Sequence, residues 1–169
     1  MWVFLFSDLA YNLNMTIEKP KIKDLETIRQ ILEPWTEPGE IEKYLSRISS
    51  EISGQTKYSM NFWVIFNNDL VIGVGGLAEP LPIILPLAKT SKPGEIKILY
   101  LDNNYRGQGA GREMINFLEN EAYSQGYTEL FIRSAERYKD TAYGFYKKMG
   151  YKNLGKTENN MNIFNKIFK

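Results

Sequence analysis

The sequence predicts one mixed α/β domain, on three observations. Runs rich in β-branched and aromatic residues alternate with segments of helical periodicity, in the order β-α-α-β-β-β-α-β-α-β-β, with no internal repeat and no linker. The 169 residues suffice for one domain with a buried core, and 43% apolar with 24% charged residues is an ordinary globular composition. Between Tyr105 and Met114, finally, a strand passes into a helix through three glycines in five residues.

Residues 1–14 are expected to form an N-terminal extension and residues 15–169 the domain. "MTIEKP" reads as the first strand. Asp24 then serves as an N-cap for a helix carrying Leu25, Ile28 and Leu32 at helical spacing, closed by Pro34. After a turn at Pro38-Gly39, "EIEKYLSRISSEI" puts Ile41, Tyr44, Leu45, Ile48 and Ile52 on one face of a second helix. "NFWVIFNNDLVIGVGGLAE" is a hairpin turning at Asn67-Asn68-Asp69. Four prolines between Pro80 and Pro93 rule out a central strand or a regular helix there, so a long loop is expected. "EIKILYLD" is a strand, and "GREMINFLENEAYSQG" a helix with Met114, Leu118 and Ala122 aligned and Gly126 near its end. "TELFIRSA" is another strand, "DTAYGFYKKMG" a short helix stopped at Gly150, and the remainder supplies one or two final strands.

Charge and absent residue types exclude much. The net charge of +1 gives no reason to expect nucleic acid or a membrane surface as partner. Met1 to Tyr105 holds 10 Lys/Arg against 13 Asp/Glu, whereas Arg106 to Lys169 holds 11 against 7, so the basic part begins at the glycines. With no cysteine and no histidine, disulfides, thiolate nucleophiles, Ser-His-Asp triads and Cys/His metal sites are excluded, and no metal is expected. Acid-base chemistry falls to carboxylates, tyrosines, lysines or water. The apolar run Trp2 to Phe6 is too short for a signal-peptide core, lacks a preceding Lys or Arg and is soon followed by Asp8, so a cytoplasmic protein is expected. A homodimer through the last strands or the N-terminal extension stays open.

A helix N-terminus presents unpaired N–H groups and partial positive charge, and glycine removes the Cβ that would keep a phosphate away. Strand, glycine turn and helix in sequence therefore suggest a phosphate cradle, with a plain tight turn as the alternative. A P-loop needs Lys and Ser/Thr after its last glycine, but Arg112 and Glu113 follow Gly111. A dinucleotide fingerprint needs G-x-G-x-x-G and further βα units, and the spacing here is G-x-G-x-G.

"RGQGAG", Arg106 to Gly111, resembles the acyl-CoA signature Gln/Arg-x-x-Gly-x-Gly/Ala of the GNAT superfamily of N-acetyltransferases. The resemblance extends from Thr16 to Lys169, and "AYGFYKKMGY" is similar to the family's Ala-x-x-x-Tyr-x-x-x-Gly-Phe segment. It implies the acyl-CoA N-acyltransferase fold, a single mixed central sheet flanked by helices, and acetyl transfer from acetyl-CoA to an amine in a ternary complex. It also implies roles. The N–H groups of Arg106, Gly107, Gln108, Gly109, Ala110 and Gly111 would bind the CoA pyrophosphate with Arg112 nearby. Leu99, Tyr100 and Leu101 would pair with the pantetheine arm, the Leu99 N–H polarising the thioester carbonyl. Lys139 stands where the family often has Asn, which would make its phosphate contact one of charge.

Glu95 matches by position the catalytic glutamate of the histone acetyltransferase branch, and strand alternation puts Glu95, Lys97, Leu99 and Leu101 on one face. The four residues from Glu95 to Leu99 span about 13 Å, so Glu95 would act as base through water or with the help of a bulge. A solvated strand glutamate is the alternative reading, and Glu79 or a water chain are the other bases. Tyr146 matches the family's general acid, and aromatic packing is compatible with that role. Glu33, Glu37, Glu40 and Glu42 gather where the first two helices meet and would draw a cationic amine, unless they are only a solvated helix end. Trp35 and the proline-rich loop would add an apolar wall. Two other readings remain: a CoA-binding module without catalysis, and a nucleotide-binding protein using the glycines as a phosphate nest.

Overall fold

Residues 14–55, 59–157 and 159–168 are described by the computed structural model, so residues 1–13 of the expected extension lie outside the described residues. A seven-stranded sheet carries the chain: β1 (Met15–Glu18), β2 (Met60–Asn67), β3 (Leu70–Ala78), β4 (Pro93–Leu101), β5 (Glu129–Ala135), β6 (Lys152–Lys156) and β7 (Met161–Ile167), in the order β1-β2-β3-β4-β5-β7-β6. Only β4 and β5 run parallel. That pair needs a crossover, and α3 (Ala110–Ser124) supplies it.

Each sheet face takes its own helices. On one, α1 (Leu25–Leu32) and α2 (Pro38–Ile52) bury Ile28, Leu32, Leu45 and Ile48 against Phe62, Val64, Val74 and Ile98. On the other, α3 buries Met114, Ile115, Leu118 and Ala122 against Trp63, Ile65, Ile72 and Ile96. The short α4 (Gly144–Lys148) joins this second core through Tyr146, whose ring lies tilted against Phe164 with centroids 5.3 Å apart. The predicted element order holds throughout.

Local details differ from expectation. Asp24 does not cap α1: its carboxylate accepts the Lys21 N–H at 2.7 Å and closes a 3-10 turn, Ile22–Asp24, ahead of the helix. Pro38-Gly39 is not a turn before α2 but its first two residues, because proline at the first helical position forfeits no intrahelical hydrogen bond. A turn of π-helix, Lys139–Tyr143, leads into α4. The proline-rich loop is tied down by Ile84, buried with Phe131 and Ile163, and by Glu129, which accepts the N–H groups of Lys89 and Thr90. Among the described residues no helix is long and apolar enough to cross a membrane.

Candidate functional site

β4 and β5 pair only from Pro93–Ile96 to Glu129–Ile132 and then separate. The cause is one extra residue in β4. Ile98 opposes Gly76 and Ile96 opposes Leu77, so Lys97 is left over as a bulge. The bulge also reverses the faces: Ile96 packs in the α3-side core, whereas Ile98, two residues on, packs beneath α1 and α2. Leu99 and Leu101 return to the α3 side. Glu95, adjacent to Ile96, lies on the opposite face from it, so the expectation that Glu95 and Lys97 share a face with Leu99 and Leu101 fails for a definite reason: alternation does not survive a bulge.

The separation opens a cleft of about 1020 Å³ between β4 and β5. Its β4 wall is Leu99, Tyr100 and Leu101, facing Arg133, Ser134 and Ala135 of β5. The Asp102 N–H bonds the Ile72 carbonyl at 2.8 Å, so alternation turns the main-chain groups of Leu99 and Leu101 toward the gap. The Trp35 indole N–H donates to the Leu101 carbonyl there at 3.3 Å.

One end of the cleft is the glycine loop. Gly107 and Gly109 hold φ of 76° and 95°, and a Cβ on either would meet nothing within 4 Å. They are glycine for their backbone angles, and they leave bare main chain along the cleft. At Gly111 the reason differs: a Cβ would lie 3.2 Å from Phe145 and 3.3 Å from Leu101. Helical bonding starts with the Glu113 N–H to the Gly109 carbonyl, which leaves the N–H groups of Ala110, Gly111 and Arg112 without a helical acceptor. Arg106, Arg112 and Lys148 line this end. These features fit an anion of pyrophosphate chemistry. Gln108 is turned away, its amide donating to the Asn104 carbonyl at 2.8 Å, and Ala110 is fully buried beneath the turn. Lys139 is exposed at the start of the π-turn and is not among the residues lining the cleft.

Tyr146 lines the middle of the cleft. Burial pushes its phenol up to about 12, partly opposed by a hydrogen bond with Ser134, so it stays protonated at neutral pH and is a donor. Tyr143 donates to the Ser134 carbonyl at 3.1 Å and fixes the segment beside it.

At the other end Lys97 and Arg133 line the cleft, and Glu95, 1% exposed, lies behind them and is not among the lining residues. Its carboxylate accepts from the Arg133 Nε at 2.7 Å, the Lys97 ammonium at 2.5 Å and the Leu81 N–H at 3.1 Å. The Lys97 ammonium is held below the usual lysine range, first by burial and then by the charges of Arg133 and Arg47 against the opposing pull of Glu95. Of the four glutamates near the helix junction, only Glu40 lines the cleft; it faces Lys43 at 3.3 Å, and Glu42 pairs with Arg29.

The structure adds residues that sequence reasoning missed. The Trp35 carbonyl accepts from the Tyr138 hydroxyl and, at 3.2 Å, from Arg137, so the α1–α2 connection is joined across the cleft to the segment after β5. The Arg106 guanidinium lies 4.6 Å from the centre of the Trp35 ring. Arg133 carried a signal that could have found it: a lone cation inside the apolar strand "ELFIRSA".

The pattern of the acetyltransferase (GNAT) family matches residues 25–151. Human N-acetyltransferase 8B is 27% identical over 129 residues, 73% of this chain and 52% of that protein. A probable mouse N-acetyltransferase, family 8 member 5, is 30% identical over 97 residues, 57% of this chain and 40% of its own length. The chain thus spans about half the length of these relatives or less. In fold it is similar to an N-acetyltransferase of Staphylococcus aureus, with a TM-score of 0.72 at 18% identity over 92% of this chain and 99% of the other. It is also similar to the PaiA N-acetyltransferase of Thermoplasma acidophilum, solved in complex with coenzyme A, with a TM-score of 0.67 at 19% identity over 91% and 99%.

Proposed function

The chain belongs to the acetyltransferase (GNAT) family, and from that premise we propose that it transfers the acetyl group of acetyl-CoA directly to a primary amine. The observation that carries this reading is the gap between β4 and β5, whose outward-turned main chain at Leu99 and Leu101 leads to a glycine loop of bare N–H groups. One groove thus offers a hydrogen-bonding strand edge to an extended arm and an anion cradle to its phosphate end.

In this reading the N–H groups from Gly107 to Gly111 hold the pyrophosphate, with Arg112 beside them, while the Arg106 N–H is already taken by the Asn103 carbonyl at 3.4 Å; Leu99 to Leu101 hold the pantetheine arm. The Leu99 N–H bonds the thioester oxygen as it takes on charge, a contribution of about 3 kcal/mol for a donor of this kind. The amine nitrogen attacks the carbonyl carbon, the C–S bond breaks, and CoA leaves as a thiol while the nitrogen loses one proton. With no cysteine to carry the acetyl group, attack is direct. A lysine-like amine is neutral only about once in 10³ at pH 7, so its proton must be taken away. Glu95, closed in by Lys97 and Arg133, serves through ordered water and not by contact. Tyr146 is the donor to the departing sulfur. Full transfer from a phenol near 12 to a thiolate near 8.5 would run uphill by about 5 kcal/mol, so Tyr146 acts chiefly by hydrogen bonding the thiolate.

Thermal stability with acetyl-CoA, CoA, ATP and NAD, followed by free-thiol release with a panel of amines, tests this. A ligand at 100 times its dissociation constant adds about 2.7 kcal/mol, and only the CoA species should do so. Equal stabilisation by ATP or NAD would instead favour a nucleotide nest. Stabilisation by CoA without thiol release from any amine would favour a binding module.

A further inference from the structure

Trp35 ties the two walls of the cleft together. It stands in the connection between α1 and α2, residues 33–37, whose main-chain N–H groups bond back to Arg29 and Leu32. On the β4 side its indole N–H reaches the Leu101 carbonyl at 3.3 Å. On the far side its carbonyl accepts from the Tyr138 hydroxyl and, at 3.2 Å, from Arg137, both in the turn that follows β5. The ring is engaged as well: the Arg106 guanidinium lies 4.6 Å from its centre, and the Tyr138 ring is tilted against it at 6.3 Å. Trp35 thus bridges the gap just where β4 and β5 have parted.

The two groups that the indole holds are groups that CoA claims in the proposed reaction. The Leu101 carbonyl belongs to the strand edge that pairs with the pantetheine arm. Arg106 stands next to Gly107, at the start of the pyrophosphate cradle, and its guanidinium also donates to the Thr141 carbonyl at 3.2 Å. A ring face and a carbonyl carry no net charge, so a pyrophosphate is the stronger partner for that cation. The segments that carry the bridge are the α1–α2 connection, the 3-10 turn Glu136–Tyr138 and the glycine loop, so they can part without breaking the sheet or a long helix.

We propose that Trp35 is a gate: it closes the cleft in the free protein, and acetyl-CoA displaces it by taking the Leu101 carbonyl and the Arg106 guanidinium from the indole. This rests on the acetyltransferase reading and adds to it. The closed form does not receive the arm, so the apparent affinity is the intrinsic one reduced by the fraction of molecules that are open. Weakening the bridge should therefore tighten CoA binding, the reverse of what losing an ordinary contact does.

The full chain is titrated with CoA. In a Trp2→Phe background, which keeps Trp35 and the buried Trp63, the tryptophan emission maximum should move to longer wavelength as the half-buried Trp35 indole enters water, and adding Trp35→Phe should abolish that shift. Trp35→Phe removes the indole donor and Tyr138→Phe one donor to the Trp35 carbonyl. Each should bind CoA about threefold to tenfold more tightly, the scale of one hydrogen bond, with the gain in the association rate. Thermal midpoints without ligand establish that both variants are folded. Weaker or unchanged CoA binding by either folded variant would overturn the gate, and so would a Trp35 emission that CoA leaves in place. Stabilisation of the unaltered protein by CoA would in those cases leave the acetyltransferase reading standing. If CoA neither binds nor stabilises, both fall together.

Discussion

At the glycine-loop end of the cleft the surface offered to a ligand is largely main chain, whereas at the other end it is side chains brought from α2, β4 and β5. A main-chain site is written locally, because one run of residues sets the angles of one turn. A side-chain site is assembled from segments as far apart as Arg47 and Arg133, and it works only if their partners are settled by the fold. The two ends should therefore answer differently to substitution.

The largest effect is expected at the side-chain end. Glu95→Ala leaves Lys97 and the partly exposed Arg133 without their carboxylate and should cost about 3 kcal/mol of stability, read by denaturant unfolding. Turnover should fall with it, since Glu95 also takes the amine's proton through water in the proposed reaction; lost turnover at unchanged stability would leave Glu95 the base and remove its role as an anchor. At the main-chain end, Gly109→Val should strain a φ of 95° and cover the bare backbone, reducing kcat/KM for acetyl-CoA about a hundredfold. Stability should fall less, since the added side chain meets open space. Equal losses in binding and folding would erase the distinction between the two ends.

Tyr146→Phe keeps the ring against Phe164 and removes only the hydroxyl, so kcat should fall about tenfold to a hundredfold with KM little changed. Its pH behaviour has a definite sign. The folded phenol titrates near 12 and the unfolded one near 10, so its contribution to stability is complete below pH 10 and is lost as pH rises toward 12. Unfolding midpoints from pH 7 to 11 should be flat until about pH 10, and the decline beyond should be smaller in the variant. The smallest effect is at the helix junction. Arg29→Gln breaks a surface pair with Glu42 and should change neither stability nor acceptor preference.

The sequence by itself determined the order of the eleven regular elements, the apolar faces of α1, α2 and α3, the hairpin at Asn68 and the glycine turn. Each is a matter of period or of backbone angle within a few residues, and such information is local. Where it failed locally, at Asp24 and Pro38, two nearby uses of the same residue competed: closing a preceding turn against capping, and starting a helix against ending a loop. Only the tertiary structure decided that β4 and β5 part after Ile96, that Lys97 is the extra residue, and hence which face Glu95 occupies and which cations surround it. A bulge is set by how one strand registers against its neighbours, and a buried carboxylate's partners by which distant segments the sheet brings together. Neither leaves a period in the sequence to be read.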